Sequence, residues 1–247
     1  MAITHATVAD GTFSTAGATN WDAAHSITGM VTLAAGTTGT GGAPLKFQSG
    51  SLETAPDAGD MEYDGKVLYF TPLSTQRGAI PCEQILVQSA AYTLTSQTTT
   101  QKLFNASTNG AVTVSAATTY LVECFFTMSG MSATSGNTGF NLVGGGTATV
   151  TSAALHCIGL DGTAGTAAAA GASFITSQGQ TGNIITAATG AAMGVLIKGI
   201  IRINAGGTLI PAVTLTTAAA AVVGANSYLR ITPIGSNTGN ILIGAWS

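Results

Sequence analysis

The sequence predicts an all-β fold, a sandwich or jelly roll of short antiparallel strands. Side chains alternate with a period of two through "YLVECFFTM" (120–128), as a β-strand requires. Further short apolar runs continue towards the C-terminus, separated by Gly, Asn, Thr and Ser, a spacing typical of sandwiches and barrels. Asp64-Gly65 and Ala205-Gly206-Gly207 are hairpin-turn signals between such runs.

The first predicted element is a hairpin. Asp64-Gly65 stands between "DMEY" and "KVLYF", and we expect Tyr63 and Tyr69 to make aromatic contact across its two strands. A lone hairpin is only marginally stable in water. Residues 1–83 are therefore predicted to be a connector whose hairpins pair with copies of themselves or with a partner, and charged residues there would protect short exposed edges.

The clearest strand is residues 120–128. Alternate side chains of a strand point to opposite faces. One face carries Tyr120, Val122, Cys124, Phe126 and Met128, and the other carries Leu121, Glu123, Phe125 and Thr127. A strand that is apolar on nearly both faces suits the middle of a sandwich.

Two alanine-rich runs, 163–173 and 216–227, are predicted to be connecting loops or a single helical turn. Alanine has the best helix propensity. Each run is nevertheless flanked by Gly and Thr, and isolated helices shorter than about 12 residues are marginal.

The remaining predicted strands lie between residue 199 and the C-terminus. "GIIRINAGGTLIPAVTLTT" (199–217) predicts a tight hairpin around Gly206-Gly207. Pro211 has no N–H group to donate, which favours an edge position. "SYLRITPIG" (227–235) and "NILIGAWS" (240–247) are predicted closing strands. Residues 84–247 are thus predicted to form one β-sandwich domain.

Charge is unusually scarce. Only 7% of the 247 residues are charged and 45% are hydrophobic, with a net charge of −3, whereas soluble domains carry about 25% charged residues. Surface charge normally protects a monomer against self-association. We therefore expect much of the surface to be buried against other subunits. Disorder of the whole chain is disfavoured, because disordered chains combine low hydrophobicity with high net charge.

Several partners and compartments are disfavoured. Seven Lys and Arg against ten Asp and Glu leave no basic face for nucleic acid. The N-terminus has no secretory signal pattern. The most apolar stretch, 191–203, is interrupted by Lys198 and is shorter than the ~20 residues that a membrane-spanning helix needs. Cys82, Cys124 and Cys157 form no CxxC pair, so we expect reduced, mostly buried thiols rather than disulfides or zinc.

The sequence contains no motif that indicates an enzyme or a cofactor. Nucleophile-elbow, zinc-protease and phosphate-loop patterns do not occur in the chain. Asp60, Glu62 and Asp64 faintly resemble a calcium loop, but its twelfth position is Thr71, so a solvated hairpin end is the favoured interpretation. His156 and Cys157 are adjacent on a predicted strand and would point to opposite faces.

The other candidate groups for catalysis or metal binding are equally isolated. His5 and His25 lack a partner at metal-ligand spacing. A glycan-cleaving enzyme would need paired carboxylates. From residue 83 onwards the only acids are Glu83, Glu123 and Asp161. We therefore predict that the chain is not an enzyme.

Residues 25–72, "HSITGMVTLAAGTTGTGGAPLKFQSGSLETAPDAGDMEYDGKVLYFTP", resemble a linking segment found in tail-fibre-like and other virion-surface proteins of tailed bacteriophages. The following chain, from Tyr92 to Gly235, is similar to the domain that often follows that linker, a trimeric jelly roll of the tumour-necrosis-factor-like type. The resemblance covers about residues 20–245 and implies a homotrimer. Three copies around a threefold axis would each bury one flat apolar face, which would explain the low charge.

The same resemblance implies a virion protein made in the host cytoplasm. Because only about 20 residues precede the linker-like segment, we expect a trimeric capsid cement or decoration protein bound to the major capsid protein. Phe13 and Trp21 are candidate docking residues, because aromatic residues are enriched at interface hot spots; ordinary local packing is the alternative. The alternative function is a short tail fibre or receptor-binding protein that contacts host glycan or protein.

Overall fold

The computed structural model describes residues 32–33, 35–105, 107–132, 137–145, 148–163, 166–186 and 192–244. The chain divides into two compact units, Met1–Phe47 and Gln48–Ser247. Within the first unit, the described residues include a turn in which the Thr37 N–H donates to the Gly42 carbonyl over 2.8 Å. The predicted division into 1–83 and 84–247 stays a prediction.

Sixteen strands are described, all in the second unit. In chain order they are β1 (Met61–Tyr63), β2 (Leu68–Phe70), β3 (Gly78–Ile80), β4 (Gln84–Val87), β5 (Tyr92–Thr93), β6 (Gln101–Lys102), β7 (Val112–Val114), β8 (Thr118–Ser129), β9 (Asn137–Gly145), β10 (Thr149–Thr163), β11 (Thr166–Ile175), β12 (Gly182–Thr186), β13 (Ala192–Ala205), β14 (Gly207–Leu215), β15 (Val222–Val223) and β16 (Tyr228–Ser236).

The strands form three antiparallel sheets. An eight-stranded sheet runs β11-β10-β13-β8; beyond β8 lie β16 followed by β4 along one part, and β15 followed by β5 along another. A five-stranded sheet runs β12-β9-β14, with β6 and β7 both on the far side of β14. The order β1-β2-β3 makes the small sheet. The predicted all-β fold is confirmed. Within the described ranges, no helix has the length and apolar character that crossing a bilayer would require.

One hydrophobic core fills the space between the two larger sheets. Phe126 of β8 and Phe140 of β9 are both fully buried, and their rings stack with centroids 6.5 Å apart. The Tyr120 hydroxyl lies in the same core and accepts a hydrogen bond from the Ser115 N–H at 2.8 Å. The inward side chains of β8, β13 and β14 thus join the sheets into a sandwich.

The hairpin predicted at Asp64-Gly65 is confirmed, with a wider loop. Tyr63 pairs with Leu68, so residues 64–67 form the connection, and Gly65 has a φ of 92°. The expected contact between the two tyrosines is not supported, because Tyr69 stands opposite Glu62. The small sheet buries Val67 and Tyr69 apart from the sandwich core.

The central strand is also confirmed. β8 lies between β13 on one side and β15 and β16 on the other. Its predicted inner face is buried throughout, with Tyr120, Val122, Cys124, Phe126 and Met128 all at most 4% exposed. Its second face is only partly covered, and Leu121 is 45% exposed.

The hairpin predicted around Gly206 is wrong. β13 and β14 follow each other with only Gly206 between them, but β13 belongs to the eight-stranded sheet and β14 to the five-stranded one. The turn therefore carries the chain from one sheet to the other. A Cβ atom on Gly206 would stand 2.7 Å from the Ala116 nitrogen, so the close approach of backbone explains the glycine.

The edge position predicted for Pro211 is also wrong, because β14 has neighbours on both sides. On one side Pro211 lies opposite Leu142. On the other its carbonyl accepts from the Leu103 N–H at 2.9 Å, between the stretches of β14 that pair with β7 and β6. N–H and C=O of one strand residue point to the same side. The N–H group that Pro211 lacks would therefore point to the place where the partner of β14 changes from β7 to β6.

The alanine-rich runs differ from each other. Residues 166–175 form β11, which pairs with β10 along its length, so the loop predicted for 163–173 is wrong there. Pairing to a long neighbour supplies the backbone hydrogen bonds that the run could not satisfy alone. The second run is a loop except for β15. The closing strand 227–235 is confirmed as β16, whereas residues 240–244 are not a strand.

Candidate interaction face

The eight-stranded sheet turns one face to the core and the other outwards. Register fixes which side chains share the outward side: Lys198 pairs with both Glu123 and His156, and Leu196 pairs with both Phe125 and Ile158. We call this side the outer face. Its side chains include His156, Ile158 and Leu160 of β10, Phe174 of β11, Leu196, Lys198, Ile200 and Arg202 of β13, Thr119, Leu121, Glu123 and Phe125 of β8, Tyr228, Arg230 and Thr232 of β16, and Ile85 and Val87 of β4.

The outer face is apolar and exposed. Nine large apolar side chains beyond residue 80 are exposed in the described part of the chain, and eight of them lie on it. Those eight are Phe174 (68%), Ile85 (60%), Val87 (59%), Leu160 (50%), Leu121 (45%), Ile158 (39%), Leu196 (37%) and Ile200 (36%). Monomeric proteins rarely expose contiguous apolar patches beyond a few hundred Å². The outer face therefore has the character of a contact surface.

The side of the five-stranded sheet that faces away from the core is less apolar than the outer face. β14 presents Thr208, Ile210, Ala212 and Thr214 there, and Ile210 is only half-buried. β9 adds Asn141, whose amide donates to the Thr214 hydroxyl at 3.1 Å. Small and hydroxylated side chains cover much of this side, and Lys102 of β6, which pairs with Ala212, adds one charge. Among the described side chains, exposed apolar surface is therefore concentrated on one side of the sandwich.

A row of charged groups crosses the outer face. The Glu123 carboxylate contacts Lys198 Nζ at 3.0 Å and Arg230 Nη2 at 3.6 Å, and it accepts the Tyr228 hydroxyl at 2.7 Å. Arg230 Nε also lies 3.6 Å from Glu83. The row therefore neutralises itself within one chain and separates two apolar bands.

The hydrogen bonds also set the protonation state of this row. The Tyr228 hydroxyl and then the Lys198 ammonium group stabilise the Glu123 carboxylate, and they hold the pKa of Glu123 below its usual value despite partial burial. The same carboxylate raises the pKa of Tyr228. Glu123 is therefore ionised and Tyr228 protonated near neutral pH.

His156 belongs to the outer face and not to a catalytic pair. Its ring stacks on Phe174, with centroids 4.9 Å apart and an angle of 15° between the rings. The Cys157 side chain points into the core and is fully buried, and burial raises its pKa to about 12. The two neighbours thus face opposite sides, as the alternation of a strand requires.

The acids at the hairpin do not converge. The Asp60 carboxylate accepts the Asp57 N–H, and Asp64 accepts the Lys66 and Val67 N–H groups, each at 2.7 Å. Glu62 contacts Arg77 Nε at 2.6 Å. Among the residues that the structure describes, no three acid, histidine or cysteine side chains form a group able to hold a metal ion.

Glu62 and Arg77 instead join the small sheet to the segment before it. The Glu53 N–H donates to Glu62 at 2.7 Å, and Arg77 donates to the Glu53 carbonyl at 2.7 Å. Burial opposes ionisation of Glu62, but the Glu53 N–H and the Arg77 guanidinium outweigh it and lower the pKa of Glu62. The ion pair between Glu62 and Arg77 therefore has a structural role.

The thiols are free and spatially separate. Cys124 and Cys157 are buried and Cys82 is exposed, which confirms the expectation of free and mostly buried thiols. Cys124 and Cys157 both pair with Ile197, from opposite sides. Two strand spacings of about 4.8 Å therefore separate them, which is too far for a disulfide.

The predicted docking residues Phe13 and Trp21, and also His5 and His25, lie outside the described residues. Sequence reasoning anticipated one flat apolar face per copy but did not identify the strands that form it. A signal was present in β8, where Leu121 and Phe125 alternate with the core positions. The contributions of β4, β10 and β13 depend on long-range register, which the alternation within a single strand does not reveal.

Among known proteins, only solved structures show a likeness to this chain, and that likeness is weak. No family model matches it, and no curated protein matches it. Weak likenesses occur among solved structures of infectious bursal disease virus. The Gx strain structure has 12% identity, a TM-score of 0.19, and coverage of 72% of this chain and 46% of that one.

Two further structures of the same virus give similar values. The VP2 subviral particle has 13% identity, a TM-score of 0.17 and coverage of 75% and 46%. The T13 viral particle has 14% identity, a TM-score of 0.20 and coverage of 76% and 46%. This chain thus spans about half the length of these proteins. TM-scores this low do not establish a shared fold.

Proposed function

We propose that this chain is a structural protein of a bacteriophage virion, namely a homotrimeric capsid cement or decoration protein. The observation that carries the proposal is the outer face, on which eight large apolar side chains are exposed in a single chain. The resemblance of residues 25–72 to a linker of phage virion-surface proteins supports the location. The role is structural and involves no catalysis or cofactor.

Trimerisation would cover the outer face. A stable interface buries about 800 Å² on each partner, and burial of apolar surface contributes about 25 cal/mol per Å². The self-neutralised row around Glu123 suits this burial, because its charges already have partners. The same burial would let a chain with 7% charged residues remain in solution as an assembly.

Cementing would follow from binding the assembled shell and not the free capsid subunits. A ligand that binds only one state stabilises that state in proportion to its affinity and concentration. The small sheet offers apolar groups for such a contact, since Met61 is 44%, Phe70 38% and Leu73 58% exposed. Phe13 and Trp21 are proposed docking residues in the same N-terminal region.

The copy number of the protein in purified particles tests this function. A ratio near one to the major capsid protein, measured by quantitative mass spectrometry, is the expected result. A few copies per particle would contradict a cement role and support the short tail fibre or receptor-binding alternative. Absence from the particles would contradict both virion functions.

A further inference from the structure

We propose that, in the trimer, the Phe174 end of the outer face of one copy docks on the β4 end of the next copy. The inference rests on the proposed trimer and names the contact that would build it. The two ends are the two edges of the outer face, separated by five strand spacings from β11 to β4. At about 4.8 Å per spacing, they lie roughly 24 Å apart.

The Phe174 end presents an exposed aromatic side chain that is stacked on a neighbouring ring. Phe174 is 68% exposed and is the most exposed of the large apolar side chains on the outer face. The stacked ring of His156 fixes its orientation, so little side-chain freedom is lost on binding. Leu160 and Ile158 continue this apolar surface on the next strand. A fixed aromatic at the rim of an apolar patch has the properties of an interface anchor.

The β4 end offers the receiving surface. β4 pairs only with β16 among the described strands, so its other side is a free edge. Ile85 and Val87 are 60% and 59% exposed there. Ile85 also lines a cavity of about 310 Å³ whose walls are partly polar, with Gln84 and Thr113, and partly apolar, with Phe104. An exposed apolar edge strand promotes association unless another chain covers it.

Charge also distinguishes the two ends. On the Phe174 side the described charged side chain nearest that end is Lys198, which is 59% exposed. On the β4 side Glu83 is 25% exposed and shares Arg230 with Glu123. The charged row therefore begins with a cation on the Phe174 side and ends with a carboxylate on the β4 side, and joining unlike ends continues this alternation of sign from one copy to the next. Such complementarity fixes register more than it adds affinity.

Symmetry connects this contact with a trimer. Two different surfaces on one chain make a heterologous contact, which closes into a ring when the rotation between copies allows it. With three copies, each Phe174 end finds a β4 end and none is left uncovered. Contacts between identical ends would instead give a closed dimer.

Cysteine cross-linking tests the contact directly. In a Cys82→Ser background, the double variant Ile85→Cys, Phe174→Cys is oxidised and analysed on a denaturing gel. The two positions are too far apart within one chain for a disulfide, which needs Cβ atoms about 4 Å apart. Covalent trimers are the expected product. Covalent dimers as the largest product would overturn the proposal, because they indicate a twofold contact.

The native mass of the same background protein separates the possible failures. A trimeric mass without cross-linking would overturn the docking of Phe174 on β4 while leaving the trimer intact. A monomeric mass would overturn both the contact and the trimer.

Matched substitutions give a second test. Phe174→Ser and Ile85→Ser should each weaken assembly about tenfold or more, as loss of an interface anchor does. Leu73→Ser is the control, because Leu73 is 58% exposed but lies between β2 and β3 of the small sheet. Equal assembly of all three variants would overturn the proposal. Unchanged circular dichroism of each variant shows that its sandwich is folded.

Discussion

At the scale of single residues, Glu123 is the polar centre of the outer face. Tyr228, Lys198 and Arg230 all contact its carboxylate, and its pKa is lowered. The folded chain therefore holds the carboxylate ionised at pH values where the unfolded chain begins to protonate it. Its contribution to stability is present above the unfolded pKa of about 4.3 and is lost as pH falls through the folded pKa.

The change Tyr228→Phe tests this arrangement. Removal of the hydroxyl should lower the free energy of unfolding by about 1 kcal/mol at pH 7, the usual size for a partly exposed hydrogen bond to a charged group. The difference should shrink at pH values below the folded pKa of Glu123, where the carboxylate is protonated. Urea denaturation at both pH values measures it. An equal effect at both would contradict the role of the ionised carboxylate.

Gly206 is a second residue whose role the structure defines. A Cβ atom there would meet the Ala116 nitrogen at 2.7 Å and the Val114 carbonyl oxygen at 3.0 Å. Gly206→Ala should therefore cost about 1–3 kcal/mol of stability, as overpacking does. Gly50→Ala is the control, because no atom lies within 4 Å of its added Cβ. Equal thermal midpoints for the two variants would contradict the close approach.

At the scale of elements, sequence reasoning worked where information was local. The alternation in 120–128 predicted β8, and Asp64-Gly65 predicted the β1–β2 hairpin. It failed where the partner was distant in sequence. A glycine pair was interpreted as a hairpin although it joins two sheets, and alanines that appeared to form a loop became β11 through pairing with β10. Strand pairing over such separations depends on burial and register, which propensity does not encode.

The small sheet is predicted to respond to mutation independently of the sandwich. Arg77 joins it through Glu62 at 2.6 Å and the Glu53 carbonyl, and it also lies 6.0 Å from the centre of the Tyr69 ring. Arg77→Met should lower local stability by about 1–2 kcal/mol. Hydrogen exchange should accelerate in β1–β3 and stay unchanged in β8, because the small sheet packs apart from the sandwich core.

Lys66→Met is the matched control for that change. It removes the same charge from the same sheet, and Lys66 makes no ion pair among the described residues. Faster exchange in β8 of the Arg77 variant would show that the two parts unfold together. Equal hydrogen-exchange rates in β1–β3 of the two variants would show that loss of a positive charge, and not loss of the contact with Glu62, destabilises the small sheet.

At the scale of the whole molecule, low charge and an exposed apolar sheet face have one common explanation. The outer face is the described apolar surface that the proposed assembly would cover, and the charges around Glu123 on that face are already paired within the chain. The composition predicted such burial but not its place. The place follows from the register of β10, β13, β8 and β16, which brings alternate residues of four distant segments to one surface.

Sedimentation equilibrium of the purified chain at micromolar concentration tests this central claim most directly. Three copies of the 24.4 kDa chain are expected to sediment as one species that persists on dilution. A single species with the mass of one chain would contradict the account, because the outer face would then remain exposed to water.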